Sequence, residues 1–205
     1  MYNPPQFREE RPEILAEAIR QIGFATLVTP TSSEDGQNGL IANHLPFLLD
    51  VERGVLRGHV ARANPVWKEA RTDREALVIF LGPDAYVTPS WYATKAQTGK
   101  VVPTWNYLTV HAHGTLEFFD DAQRLRALVS DLTDRHEGER AQPWAVGDAP
   151  SGYIDTMLHA IVGVELKITR LEGKWKMSQN RDAADREGVR AGLGAEKPDV
   201  ARHLP

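Results

Sequence analysis

Leu40-Ile41-Ala42-Asn43-His44-Leu45-Pro46-Phe47-Leu48-Leu49, then Asp50-Val51-Glu52-Arg53-Gly54, then Val55-Leu56-Arg57-Gly58-His59-Val60 is the stretch that decides the fold. Two runs of strand-forming residues flank a turn too short for a crossover helix, so the pair must be antiparallel. Pro46 cannot donate to a ladder and marks an edge or a bulge. Upstream, Phe24-Ala25-Thr26-Leu27-Val28-Thr29 reads as another strand, joined to this pair by the polar loop Thr31 to Gly39. Ahead of it, Ile14, Leu15, Ala18, Ile19 and Ile22 share one helical stripe between Pro12 and Gly23, which suit the first turn and the stop.

Downstream, Asn64-Pro65 starts a short helix to about Ala70, with Asn64 as cap. Leu77 to Leu81 is a buried strand that ends at a turn, Gly82-Pro83-Asp84. Trp105 to Phe119 is extended. Asp120 and Gln123 then have capping-box spacing ahead of the stripe Leu125, Leu128, Val129 and Leu132. A short helix follows over Tyr153 to Leu158. Ile161 to Leu171 alternates as a strand, and Glu172-Gly173 turns it into a hairpin partner, Lys174 to Ser178. Six to seven strands in meander-like succession, without strand–helix alternation, predict a mainly β (α+β) chain: a small antiparallel barrel with peripheral helices. Residues 1–193 are expected to form one domain with an N-terminal helix and a C-terminal helical extension, and 194–205 a tail.

Composition narrows the chemistry. The 205 residues carry 24 Lys+Arg against 28 Asp+Glu, a net charge of −4, and no cysteine. Thiolate metal sites, iron–sulfur clusters and a cysteine nucleophile are therefore excluded. An acidic balance argues against a large nucleic-acid footprint, and residues 161–193 hold seven basic against five acidic side chains, only +2. The N-terminus has no apolar signal core, and the longest apolar run, Ala76 to Leu81, is far short of a membrane span. A cytoplasmic protein that makes no use of membrane is expected. His111 and His113 share a strand face, but without Asp or Glu at ligand spacing no metal site is expected. Gly-x-Ser-x-Gly, Walker A and Gly-x-Gly-x-x-Gly motifs are absent, and no catalytic residue is assigned.

Aromatic, amide, histidine and basic residues gather near strand ends: Asn43, His44, His59, Arg62, Asn64, Trp91, Lys95, Trp105, Asn106 and Gln179. This set suits a flat, anionic ligand. Rings stack on a ring system, amides read its heteroatoms, and Arg62 beside the free N–H groups of the Asn64-Pro65 helix start could hold a phosphate. Trp91 and Trp105 stand out because both lie in Pro-bounded irregular chain, where an exposed ring usually has a use. The structural alternative is that Asn64 merely caps its helix and Arg62 is a solvated charge.

Six colinear motifs resemble the PaiB family. They are Met1-Tyr2-x-Pro4-x-x-Phe7, Ala42-Asn43-His44-Leu45-Pro46-Phe47 and Gly58-His59-Val60-Ala61-Arg62-Ala63-Asn64-Pro65, followed by Gly82-Pro83-x-Ala85-Tyr86-Val87-x-Pro89-Ser90-Trp91-Tyr92, Lys100-Val101-Val102-Pro103-Thr104-Trp105-Asn106-Tyr107 and Gly173-Lys174-Trp175-Lys176-Met177-Ser178-Gln179-Asn180. The resemblance implies an FMN-binding split β-barrel, a homodimer with FMN near its interface, and a role as a negative transcriptional regulator. It places His59 to Arg62 where such barrels grip the FMN phosphate, with His44 and Lys95 as further polar contacts. The alternative it leaves open is a flavin-dependent oxidoreductase with His44, Trp105 and Asn106 around the isoalloxazine; a small-ligand binder without flavin is the third reading.

Overall fold

A computed structural model describes residues 1–32, 38–150 and 152–205, with the side chains of residues 32 and 38 outside the description. The centre of the expected Thr31 to Gly39 loop therefore lies outside the described residues. Among the described residues there are eight strands: β1 (Arg8–Glu9), β2 (Phe24–Ser32), β3 (Asn38–Pro46), β4 (Leu48–Asp50), β5 (Val55–Ala61), β6 (Ala76–Val87), β7 (Thr104–Phe119) and β8 (Ile161–Lys176). Seven α-helices among the same residues accompany them: α1 (Pro12–Ile22), α2 (Val66–Glu69), α3 (Thr94–Thr98), α4 (Ala122–Glu137), α5 (Tyr153–Leu158), α6 (Ala183–Glu196) and α7 (Pro198–Ala201). The sheet order is β3-β2-β6-β7-β8-β5-β4, with β1 paired to β8. The registered pairs are antiparallel, for example Thr26 opposite His44 and Gly58 opposite Val164.

The two ends of that order, β3 and β4, are neighbours in sequence, separated only by Phe47. The break at Pro46 has the anticipated cause. Past the proline the Phe47 N–H leaves the ladder and donates to the Gly23 carbonyl at 2.8 Å, while the buried Phe47 ring packs against Gly58. A Cβ on Gly58 would lie 2.8 Å from the Pro46 carbonyl oxygen, so glycine is what allows β5 this close to the end of β3.

Three readings of punctuation are corrected. Gly82-Pro83 does not turn the chain: β6 continues to Val87, and Gly82 is small because a Cβ there would strike Leu108 at 2.3 Å. Glu172-Gly173 does not turn it either. β8 runs unbroken to Lys176, Gly173 pairs with Glu9 of β1, and a Cβ on it would meet Leu15 at 2.3 Å. The cap of α4 is Asp121, whose carboxylate accepts the Arg124 N–H at 2.8 Å, one residue beyond the expected Asp120.

The chain clusters into two compact units. One comprises residues 1–22, 80–111 and 171–205; the other comprises 23–79 and 112–170. The first has a core in which Val87, Leu108 and Met177 meet Val189 and Leu193 of α6 and Val200 of α7. The segment expected to be a tail thus contributes buried Val200 and Leu204. In the second unit, Leu125, Leu128 and Leu132 of α4 pack with Phe119, Leu48 and Leu158, as the helical spacing predicted.

Candidate functional site

Five of the ten expected residues fall on each unit. In the second unit, Asn43 and Asn64 are joined directly: the Asn64 Nδ2 donates to Asn43 Oδ1 at 2.6 Å, and Asn64 Oδ1 accepts the Val66 N–H at 3.0 Å. Asn64 therefore ties the start of α2 to edge strand β3. His44 alternates onto the other face from Asn43, with Nδ1 2.9 Å from the Thr26 hydroxyl. His59 lines a cavity of about 210 Å³ with Thr133, Trp144, Ile154 and Met157, among others. Burial there holds its imidazole below the ordinary value of 6.5, so the ring is neutral at pH 7.

The donors of the phosphate seat read from Arg62 and the α2 start are partly engaged within the chain. Arg62 Nε donates to the His159 carbonyl at 2.7 Å and one Nη to the Ile161 carbonyl at 3.1 Å. Its other Nη lies 3.6 Å from the Asp120 carboxylate. The guanidinium also sits 5.8 Å from the centre of the Trp67 ring, and that indole N–H donates to the Arg62 carbonyl at 3.0 Å. Arg62 thus fastens the loop after β5 to the start of β8, and one free N–H at α2 is already taken by Asn64.

In the first unit, Trp91 and Trp105 part company. Trp91 is half-buried against α6, where the ring occupies the space a Cβ on Gly192 would need, 2.3 Å away. Lys95 donates to the Ser90 hydroxyl at 3.0 Å. Gln179 serves the backbone: its Oε1 accepts the Met177 N–H at 2.7 Å and its Nε2 donates to the Trp175 carbonyl at 2.6 Å. That clasp stabilises Ser178 in a left-handed conformation, φ 62°, a backbone region that a serine enters only at a cost of about 1–3 kcal/mol. The Ser178 hydroxyl donates to Asn106 Oδ1 at 3.1 Å, and Asn106 is fully buried.

Trp105 behaves differently. It is 53 % exposed and meets Tyr86, 48 % exposed, edge to face at 5.9 Å between ring centres. Two large rings half in water, held against each other on β6 and β7, form a platform for a planar ligand. Lys176 stands at its side, donating to the Thr104 hydroxyl at 2.6 Å and to the Trp105 carbonyl. Burial first, and then the charges of Lys174 and Arg181, push the Lys176 ammonium below its ordinary pKa.

Three expected residues carry a buried polar atom without a partner. Among the described residues, seven buried side-chain polar atoms lack a partner, and three of them are Asn43 Nδ2, His59 Nδ1 and Asn106 Nδ2. Burying such atoms unpaired is costly; the other four, on Asn3, Thr29, Arg57 and Tyr92, lie outside the expected set. Sequence reading missed Tyr86, Thr104 and Lys176. Tyr86 and Thr104 lie inside the quoted motifs, and Lys174-Trp175-Lys176 reads as a solvated hairpin face until the strand is seen to run straight.

Eight antiparallel strands with peripheral helices define the split-barrel fold of flavin-binding proteins. Its solved examples include the FAD and heme binding protein of Mycobacterium smegmatis, 21% identical with a TM-score of 0.59 over 90% of this chain and 80% of that one. The flavocytochrome Anf3 of Azotobacter vinelandii is 16% identical, with a TM-score of 0.55 over 88% and 75%. Residues 1–170 match the family described as "Putative FMN-binding domain", and the chain belongs to it. It is 37% identical to an uncharacterized protein of Aspergillus fumigatus over 94% of this chain and 90% of that one. It is 30% identical to the protease synthase and sporulation protein PAI 2 of Bacillus subtilis over 100% and 94%, which agrees with the PaiB resemblance. No helix among the described residues is long and apolar enough to cross a membrane.

Proposed function

We propose that this protein binds FMN and acts as a negative regulator of the PaiB type, as a cytoplasmic homodimer with the flavin near the subunit interface. The observation that carries the flavin reading is the half-exposed Trp105–Tyr86 pair with Lys176 at its side. The donor set fits the group: aromatic faces suit the isoalloxazine and cations suit the phosphate. Bound FMN supplies a redox-active ring and an anionic tail. The chain's own part is to stack the ring on Trp105 and place cations for the tail, while Asn106, buried on the opposite face of β7, is held by Ser178. Of the other expected residues in the first unit, Lys95 adds a cation to the proposed set, while Trp91 and Gln179 act by fixing packing and backbone; Asn43, His44, His59, Arg62 and Asn64 lie in the second unit.

The regulatory half of the proposal rests on full-length similarity to PAI 2. A net charge of −4 favours control through a partner or a metabolite over broad contact with DNA. Promoter gel shifts across a salt series, with and without FMN, test it. A defined promoter retarded at moderate salt supports direct repression, and no retardation under any condition removes direct DNA binding. Light scattering of the eluted protein tests the dimer: a mass near 46 kDa, about twice 22.9 kDa, is expected, and a monomer at micromolar concentration removes that element.

A further inference from the structure

Three cations in the first unit have no acidic partner. Lys174 and Lys176 stand two residues apart on β8, which places them on one strand face, and Arg181 follows the Ser178 bend. Among the described residues none of the three forms an ion pair. Several other arginines are paired, as Arg53 is with Glu165 at 2.8 Å, Arg57 with Asp131 at 2.9 Å and Arg71 with Asp73 at 2.7 Å. The acids of this region have other work. Glu172 holds the Met1 amine at 2.9 Å. Asp182 caps α6 through the Asp185 N–H at 2.8 Å, and Asp185 accepts the Thr94 N–H at 2.9 Å.

The donors of these cations are only partly used. Lys176 spends two of its three N–H bonds, on Thr104 and on the Trp105 carbonyl. Arg181 lays its guanidinium over the Tyr92 ring, 4.4 Å from the centre, which engages its face and leaves edge N–H groups to donate. Lys174 donates to the Tyr2 carbonyl at 2.9 Å and adds its field to that of its neighbours. Like charges gathered at a half-buried place repel one another, and an anion with several oxygens would reverse that cost. The Lys176 ammonium is depressed first by burial and then by the charges of Lys174 and Arg181.

We infer that Lys176 and Arg181, with the field of Lys174, form a seat for a phosphate-type oxyanion next to the Trp105 ring. The guanidinium supplies a planar fork for two phosphate oxygens and the ammonium a point charge. This deepens the flavin reading, and it rests on that reading where the anion is the phosphate of FMN. A separate phosphate-bearing ligand would use the same donors, so the test has two arms.

Wild type, Lys176→Gln and Arg181→Gln are titrated with FMN and with riboflavin by flavin fluorescence, and their thermal midpoints are recorded against inorganic phosphate. Glutamine retains a donor toward Thr104 and the Trp105 carbonyl, and Arg181 has no ion pair to lose, so the second variant remains informative if the first fails to fold. If the seat holds the flavin's phosphate, each variant weakens FMN at least tenfold and leaves riboflavin unchanged. If it holds a separate anion, both flavins bind the variants as they bind wild type, while the rise in midpoint with inorganic phosphate disappears. Folded variants that match wild type in both arms overturn the seat. A wild type that binds neither flavin but is stabilised by phosphate through Lys176 and Arg181 keeps the seat and removes the flavin reading; one that responds to neither removes both.

Discussion

Replacing Trp105 by alanine separates the stability of this fold from its proposed function. The ring is 53 % exposed, so folding removes only about half of its roughly 200 Å² from water. At ~25 cal/mol per Å², about 100 Å² corresponds to ~2.5 kcal/mol, an upper bound because the unfolded chain already buries part of it. Trp105→Ala should therefore cost about 2 kcal/mol including the edge contact with Tyr86, a fall in Tm of about 4–8 °C for a chain of this size. The protein stays folded. A planar ring that loses its stacking partner loses about 1–3 kcal/mol, so FMN affinity should fall at least fivefold. Trp105→Phe keeps an aromatic face and should recover most of the loss. Val102→Ala, also an exposed apolar residue nearby in sequence, should change affinity less than twofold. Fluorescence titration reads all three. A folded Trp105→Ala that binds FMN within twofold of wild type would refute the platform.

The second unit offers two further tests. Glu165 is buried, 7 % exposed, between Arg53 at 2.8 Å and Arg124 at 3.5 Å, whose own side chains reach solvent. Arg53→Ala leaves it one cation and should cost about 1–2 kcal/mol, while Arg53→Ala with Arg124→Ala strands a buried carboxylate and should cost about 3–5 kcal/mol. Glu165→Leu frees both guanidinium groups into water and should cost less than the double variant; urea unfolding showing the reverse order would contradict this account. His59 has a folded pKa below its unfolded value of about 6.5. Its unfolded form takes up the proton first, so stability is complete above about pH 6.5 and falls as pH drops toward the folded pKa. His59→Phe should lose less stability than wild type between pH 7.5 and pH 5.5, and equal losses would show that burial does not control this ring.

Period and capping chemistry made much of the chain legible. α1 begins at Pro12 and ends at Ile22 as its stripe predicts, and α5 spans Tyr153–Leu158. β7 starts one residue before the expected Trp105. What misled was glycine, which serves both positive φ and close approach. Gly82 and Gly173 serve the second purpose, whereas the sequence reads them as turns and so ends β6 and β8 early. That error hid the site: with a hairpin assumed at Gly173, Lys176 belonged to a solvated ribbon rather than to the strand beside Thr104. Arg62 shows the opposite limit. Its place in a motif was readable, but its engagement with carbonyls nearly 100 residues later depends on tertiary packing alone. The pairing of Trp91 with Gly188 and Gly192 is likewise a tertiary fact; it turns an apparently exposed ring into packing against α6. Val189, Leu193, Val200 and Leu204 carry core spacing, yet the polar residues around them made the C-terminus read as a loose extension.

The central claim is that this chain holds FMN, and equilibrium titration of the purified full-length protein with FMN tests it most directly. The account predicts saturable quenching of flavin fluorescence with a shifted absorbance band, or a yellow protein that releases FMN on denaturation. Colourless protein that leaves FMN fluorescence and absorbance unchanged up to high micromolar concentration would contradict it.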